Sequence, residues 1–206
     1  MKAPPRPPFP AGGFSLIELL VVLAIMCILT VSMFSFGSAR RQRTQKQLCQ
    51  DNLQKVYIAL QIYAKDFRDE LPVATNAVTS EEVLDLLQPR YTADNSIFIC
   101  PGGRDSALTP GESLRQGKIS YAYYMGQRLT DATSSQLVLL SDRQVNTNSK
   151  TAGEQVFSLT GESPGNNHHK YGGNFLMGDG AVQPSQPMAA VSLVITPGIL
   201  LLNPKP

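Results

Sequence analysis

The chain has no tryptophan, and aromatic residues make up only 7% of it. The large planar side chains that would fill a thick helical bundle are scarce. Glycine (16) and proline (15) are plentiful instead, which points to a loop-rich domain. Charge excess is lacking too: 18 Lys and Arg against 16 Asp and Glu leave a formal net charge of +2. A nucleic-acid partner needs a concentrated basic surface, so none is expected. Cysteine is sparse. Cys27 sits inside an apolar run and reads as a small hydrophobe. Cys49 and Cys100 remain as a candidate disulfide, which an exported domain permits and a cytosolic one does not. Catalytic signatures are missing as well. The chain holds no Gly-x-Ser-x-Gly, no Cys-x-x-Cys, no His-Glu-x-x-His and no glycine-rich loop followed by Lys-Ser/Thr. The expectation is that the protein is not an enzyme.

One long apolar run is present. Residues 1–13 are proline-rich with only Lys2 and Arg6 charged, and an abrupt change follows at Phe14. From Phe14 to Phe36 the chain is apolar except for Ser15, Glu18, Thr30, Ser32 and Ser35. At about 1.5 Å per residue the run spans roughly 35 Å, enough to cross a hydrocarbon core. A secretory signal peptide has a shorter apolar region with small residues after it. Here the small residues, Gly12 and Gly13, come before it, so cleavage there leaves the helix on the protein. Glu18 is the anomaly. A carboxylate within a membrane helix costs about 2.5–3.5 kcal/mol on insertion scales unless it is paired or near the interface. A cut after Gly13 would give Phe14 a free α-amine, a candidate partner for Glu18 of a neighbouring subunit. An interfacial Glu close to the helix end is the simpler alternative.

The run Gly13, Phe14, Ser15, Leu16, Ile17, Glu18 followed by unbroken aliphatics resembles the prepilin cleavage and methylation motif of type IV pilins and type II secretion pseudopilins. The resemblance implies cleavage between Gly13 and Phe14 by a prepilin peptidase, and N-methylation of Phe14. It implies an assembly role for Glu18 with sister pilin-like subunits, inner-membrane assembly machinery and the lipid bilayer as partners. It also implies a single pass of the bacterial inner membrane, with the head in the periplasm or on an extracellular filament. The charges argue the other way. Arg40, Arg41, Arg43 and Lys46 follow the run against Lys2 and Arg6 before it, and the positive-inside rule alone would leave the head in the cytoplasm. The motif, being the more specific signal, sets the expectation.

Helical periodicity continues past the membrane segment. Cys49, Leu53, Val56, Leu60, Tyr63 and Phe67 recur at alternating spacings of four and three, one apolar stripe for packing. Pro72 ends the pattern, so one helix is predicted from 15 to about 68. Beyond it come shorter pieces. A helix capped by Thr79 or Ser80 presents Val83, Leu84, Leu86 and Leu87. Strands are predicted at 97–100, 119–125 and 137–142, and a hairpin at 174–183 turns on Asp179-Gly180. The apolar pieces 191–195 and 199–202 suggest a buried terminal hairpin or an assembly contact. The fold class is α+β: a long N-terminal helix, membrane half plus amphipathic half, packed on a small antiparallel sheet. The divisions are leader 1–13, membrane and assembly helix 14–37, amphipathic continuation 38–71 and β-rich head 72–206.

The elements around Cys49, Phe98 to Pro101, Ser120 to Tyr123, and His169 followed after nine residues by Asp179-Gly180, are similar to the pilin-like proteins found in large paralogous sets in planctomycetes. This similarity implies a pseudopilin-like minor subunit. No cofactor is expected, with calcium or another metal left open; the candidate donors are His169, Asp179 and Asp142, with His168 beside them. The simpler reading gives Asp179 to the hairpin turn and His169 to a hydrogen bond across the loop. For Cys49 and Cys100 the expectation is a disulfide closing a loop of about 50 residues, contributing roughly 4 kcal/mol; two buried thiols are the alternative. A singly anchored envelope protein whose head binds a ligand or metal is the competing function.

Overall fold

The computed structural model describes residues 15–106, 108–129, 137–146 and 149–206. The leader, Gly13 and Phe14 lie outside them. The chain divides into two compact units, Met1–Arg40 and Arg41–Pro206.

Helix α1 runs Leu16–Asp66, close to the predicted limits. In the first unit every described side chain from 15 to 33 is exposed. Leu16–Met33 is long and apolar enough to cross a membrane, which fits a single-pass membrane-anchored protein. Thr30 and Ser32 return their hydroxyls to backbone carbonyls one turn back, Met26 and Ile28 among them, so neither presents an unmet donor to an apolar surrounding.

In the second unit the amphipathic part of α1 is core. Cys49, Leu53, Val56, Ala59, Leu60, Tyr63 and Ala64 are buried against the sheet side of the head. The stripe stops one step early. Phe67 lies beyond the last turn of α1 and is 46% exposed, with its ring stacked 4.3 Å from Tyr63.

The sheet has five antiparallel strands: β1 Tyr121–Met125, β2 Val138–Asp142, β3 Gly173–Met177, β4 Val182–Ser185 and β5 Leu200–Leu202. Their spatial order is β4-β3-β2-β1-β5. This is the α+β pilin-like arrangement, an N-terminal helix that is apolar and then amphipathic, followed by a five-stranded sheet. Both faces of the sheet are covered, so β1, β2 and β3 read as nearly unbroken buried runs. Tyr121, Tyr123, Leu140 and Leu176 face the helix-side cluster. Ala122, Tyr124, Val138 and Phe175 face a second cluster built with Val156, Phe157, Ala189 and Leu193 from the long loops. The β3–β4 hairpin forms as predicted, with a different turn. Only Gly180 has positive φ, at 86°; the Gly180 amide donates to Met177 O and the Met177 amide to Ala181 O. That is a type I turn closed by a glycine bulge, not a two-residue turn with both residues at positive φ. A Cβ on Gly180 would stand 2.5 Å from the Tyr57 ring, whose hydroxyl donates to Gly178 O.

Two other predictions are corrected. Residues 97–100 do not form a strand: Asn95–Phe98 is a 3-10 helix whose start is held by Asp94, which accepts from Ser96 N. Ile97 and Phe98 are buried there without strand pairing. The tail forms no hairpin with itself. Leu193 bridges Lys150, while β5 pairs with β1 at Leu202 and Tyr123. The helix α2, Ser80–Leu84, forms, with Thr79 at its cap but no hydrogen bond from that side chain. Glu82 instead accepts from Val78 N. Val83, Leu84 and Leu87 are buried, and Leu86 is exposed.

Candidate functional site

Two places concentrate chemistry. The first is the start of α1. Ser15 occupies the residue before the helix, and its backbone amide donates to Glu18 Oε2 at 2.8 Å. A helix opening of Ser-x-x-Glu places a carboxylate three residues in, where it satisfies an amide that lacks an intrahelical partner. Glu18 thus caps its own helix. This role was legible in the Ser15-to-Glu18 spacing and the sequence reading missed it. It does not displace an assembly role, because a carboxylate has a second oxygen and several lone pairs.

The second place is deep in the head. The structure joins Cys49 and Cys100 in a disulfide with Cα atoms 5.3 Å apart. Cys49 comes from α1, and Cys100 from the segment that follows the 3-10 helix Asn95–Phe98. His168 Nε2 lies 3.3 Å from Cys100 Sγ and 3.4 Å from Asp142 Oδ2. All four residues are buried. Gly102 makes this approach possible, since a Cβ there would stand 2.4 Å from His168 Nδ1.

Asp142 is the hub. Its Oδ2 accepts from Asn174 N at 2.6 Å and Asn174 Nδ2 at 3.0 Å, and its Oδ1 from Asn167 Nδ2 at 2.9 Å. Asn167 also donates to Ser120 O, and Gln50 of α1 reaches Asn174 Oδ1. Lys46 donates to Tyr171 O and Ser185 O. Burial pushes the Lys46 ammonium below its usual pKa, and the negative charge of Asp142 works against that shift. Tyr121, opposite Asp142 in the β1–β2 register, is held well above the usual tyrosine range, first by burial and then by that carboxylate.

The predicted metal donors are not brought together. His169 and Asp179 stand beyond opposite ends of β3, whose four residue steps alone cover about 13 Å at about 3.3 Å each. Asp179 is exposed and accepts from Ala181 N within the turn. His169, at φ 50°, turns its ring toward Gly161. Its neighbour His168 meets Asp142 instead. Sequence named both histidines, but only the backbone decides which one points inward.

Residues 10–34 match the prokaryotic N-terminal methylation motif, a prepilin signal of the type IV pilin kind. That motif implies processing by a prepilin peptidase and pilin-like sister subunits. No curated protein and no solved structure matches the chain.

Proposed function

We propose that the chain is a non-enzymatic pseudopilin subunit. It is cut by prepilin peptidase between Gly13 and Phe14 and methylated on the new Phe14 amine. Its N-terminal helix then assembles it into a periplasmic or surface filament linked to type II secretion or type IV pilus-like machinery. The observation that carries this reading is the junction of the motif at 10–34 with an apolar helical segment exposed on every described side chain from 15 to 33. A surface of that size has to be covered, by lipid before assembly and by sister helices after it. Burying the head in the cytoplasm would fit the charge count, but the Cys49–Cys100 disulfide supports an oxidising compartment.

Glu18 separates the filament from the simple anchor. In the filament reading Glu18 meets the Phe14 amine of a neighbour. Glu18→Ala should still insert and be cut, yet be recovered in sheared filaments at under a tenth of the wild-type amount. Equal recovery of the variant in filaments would remove the ion-pair role. Because Glu18 also caps the helix, Glu18→Gln is the control: it keeps a hydrogen-bond acceptor and loses the charge, and should fail as Ala does. Mass spectrometry of the mature amino terminus should find N-methylphenylalanine at Phe14. An intact leader in cells that carry an active peptidase counts against the reading.

A further inference from the structure

We infer that Cys49, Cys100, His168 and Asp142 form a site with two closed states, the disulfide and, in the chain whose cysteines are reduced, a tetrahedral Zn²⁺ centre. Their ligand atoms all lie within 4.8 Å of one another and are delivered by four separate segments. A Cys-His-Asp relay is excluded by which nitrogen is used. In such a relay the nucleophile and the carboxylate sit on opposite ring nitrogens. Here Cys100 Sγ and Asp142 Oδ2 both face Nε2, at 3.3 and 3.4 Å. Groups converging on one side of an imidazole are arranged as a ligand shell. Zinc bonds of about 2.3 Å to sulfur and about 2.0–2.1 Å to nitrogen or oxygen place neighbouring ligand atoms about 3.4–3.8 Å apart. The two contacts to His168 already lie close to that range; the sulfurs must separate, and pairs as wide as 4.8 Å must draw in by about 1 Å.

Charge and orientation agree. A neutral disulfide is replaced by Zn²⁺ with two thiolates, also neutral in sum, so the balance between Asp142 and Lys46 is untouched. Asp142 is already aimed by Asn174 and Asn167, the hydrogen-bonded support that a metal carboxylate requires. Loading Zn²⁺ releases the two thiol protons and requires the imidazole proton to sit on Nδ1, which has no hydrogen-bond partner among the described residues. Closing the disulfide passes two electrons from the thiolates to an external disulfide, which takes up two protons from water and leaves as a dithiol, and frees Zn²⁺.

The test uses the full chain with Cys27→Ser, in detergent, purified under a phosphine reductant. Titration with Zn²⁺ against a chromophoric chelator should give one tight site, and Co²⁺ should give tetrahedral absorption with a thiolate charge-transfer band. The same chain with its disulfide closed should lose this binding. His168→Gln and Asp142→Asn each remove a ligand and should weaken Zn²⁺ by at least the roughly 10–100-fold that loss of an outer-shell partner costs. A reduced wild-type chain with no tight site, or cobalt spectra without thiolate bands, overturns the proposal whatever the variants do. So does equal affinity in the disulfide form, or in a folded His168→Gln variant.

Discussion

Asp142 has no exposed surface, and its bonds tie together β2, β3 and the loop at Asn167, with Gln50 of α1 attached through Asn174. Charge-assisted bonds of this kind are costly to orphan. Asp142→Ala should destabilise the head by about 3 kcal/mol in urea unfolding, because Asn174 N and Asn167 Nδ2 lose their acceptor. Buried tyrosines set the alkaline limit. Tyr124 is pushed up to about 12 by burial, despite help from Gln144, and Tyr121 and Tyr123 are raised as well. Above pH 10 the unfolded chain releases tyrosine protons that the folded chain keeps. Stability therefore falls as pH rises, by about 1.4 kcal/mol per unit for each such tyrosine. Lys46 acts oppositely and alone: its lowered pKa makes stability rise with pH between that value and 10.5. Urea unfolding from pH 8 to 11 should show a slight gain before the steep loss. A flat profile above pH 10 would contradict the tyrosine burial.

At the scale of elements, the stripe on α1 makes a graded prediction. Leu60 is fully buried in the helix-side cluster, while Phe67 is 46% exposed past the helix end. Leu60→Ala should cost about 2–5 kcal/mol, and Phe67→Ala clearly less, since it gives up a ring stack but leaves no enclosed cavity. The same contrast explains what was legible. The helix could be read because a period near 3.6 persists over its whole buried half. Strands β1 and β2 and the β3–β4 hairpin could be read from β-branched, aromatic and turn residues. Ile97 and Phe98 could not, because their strand-like composition serves burial in a 3-10 turn that Asp94 starts. Nor could the pairing of β5, since Leu200–Leu202 finds β1 from far along the chain. The polar centre was half legible: Asp142 and the two cysteines were named. Choosing His168 over His169 depended on the positive φ of His169, which no local pattern announces.

For the whole molecule, two signals about orientation conflict, and they differ in strength. Arg40, Arg41 and Arg43 flank the apolar segment on the head side, against Lys2 and Arg6 before it. A bias of this size is a modest force on topology. Against it stand the motif at 10–34 and a head whose core holds a disulfide between segments 51 residues apart in sequence. In a reducing cytoplasm that bond would not persist, and the chain-entropy model assigns it about 4 kcal/mol, a large share of what holds a small domain folded. The head is therefore expected on the oxidising side of the membrane. A reporter active only in the periplasm, fused after Pro206, should be active, and thiol alkylation of unreduced, unfolded protein should label Cys27 alone. Activity of the complementary cytoplasmic reporter, together with three labelled cysteines, would reverse the orientation and remove the disulfide from the native head.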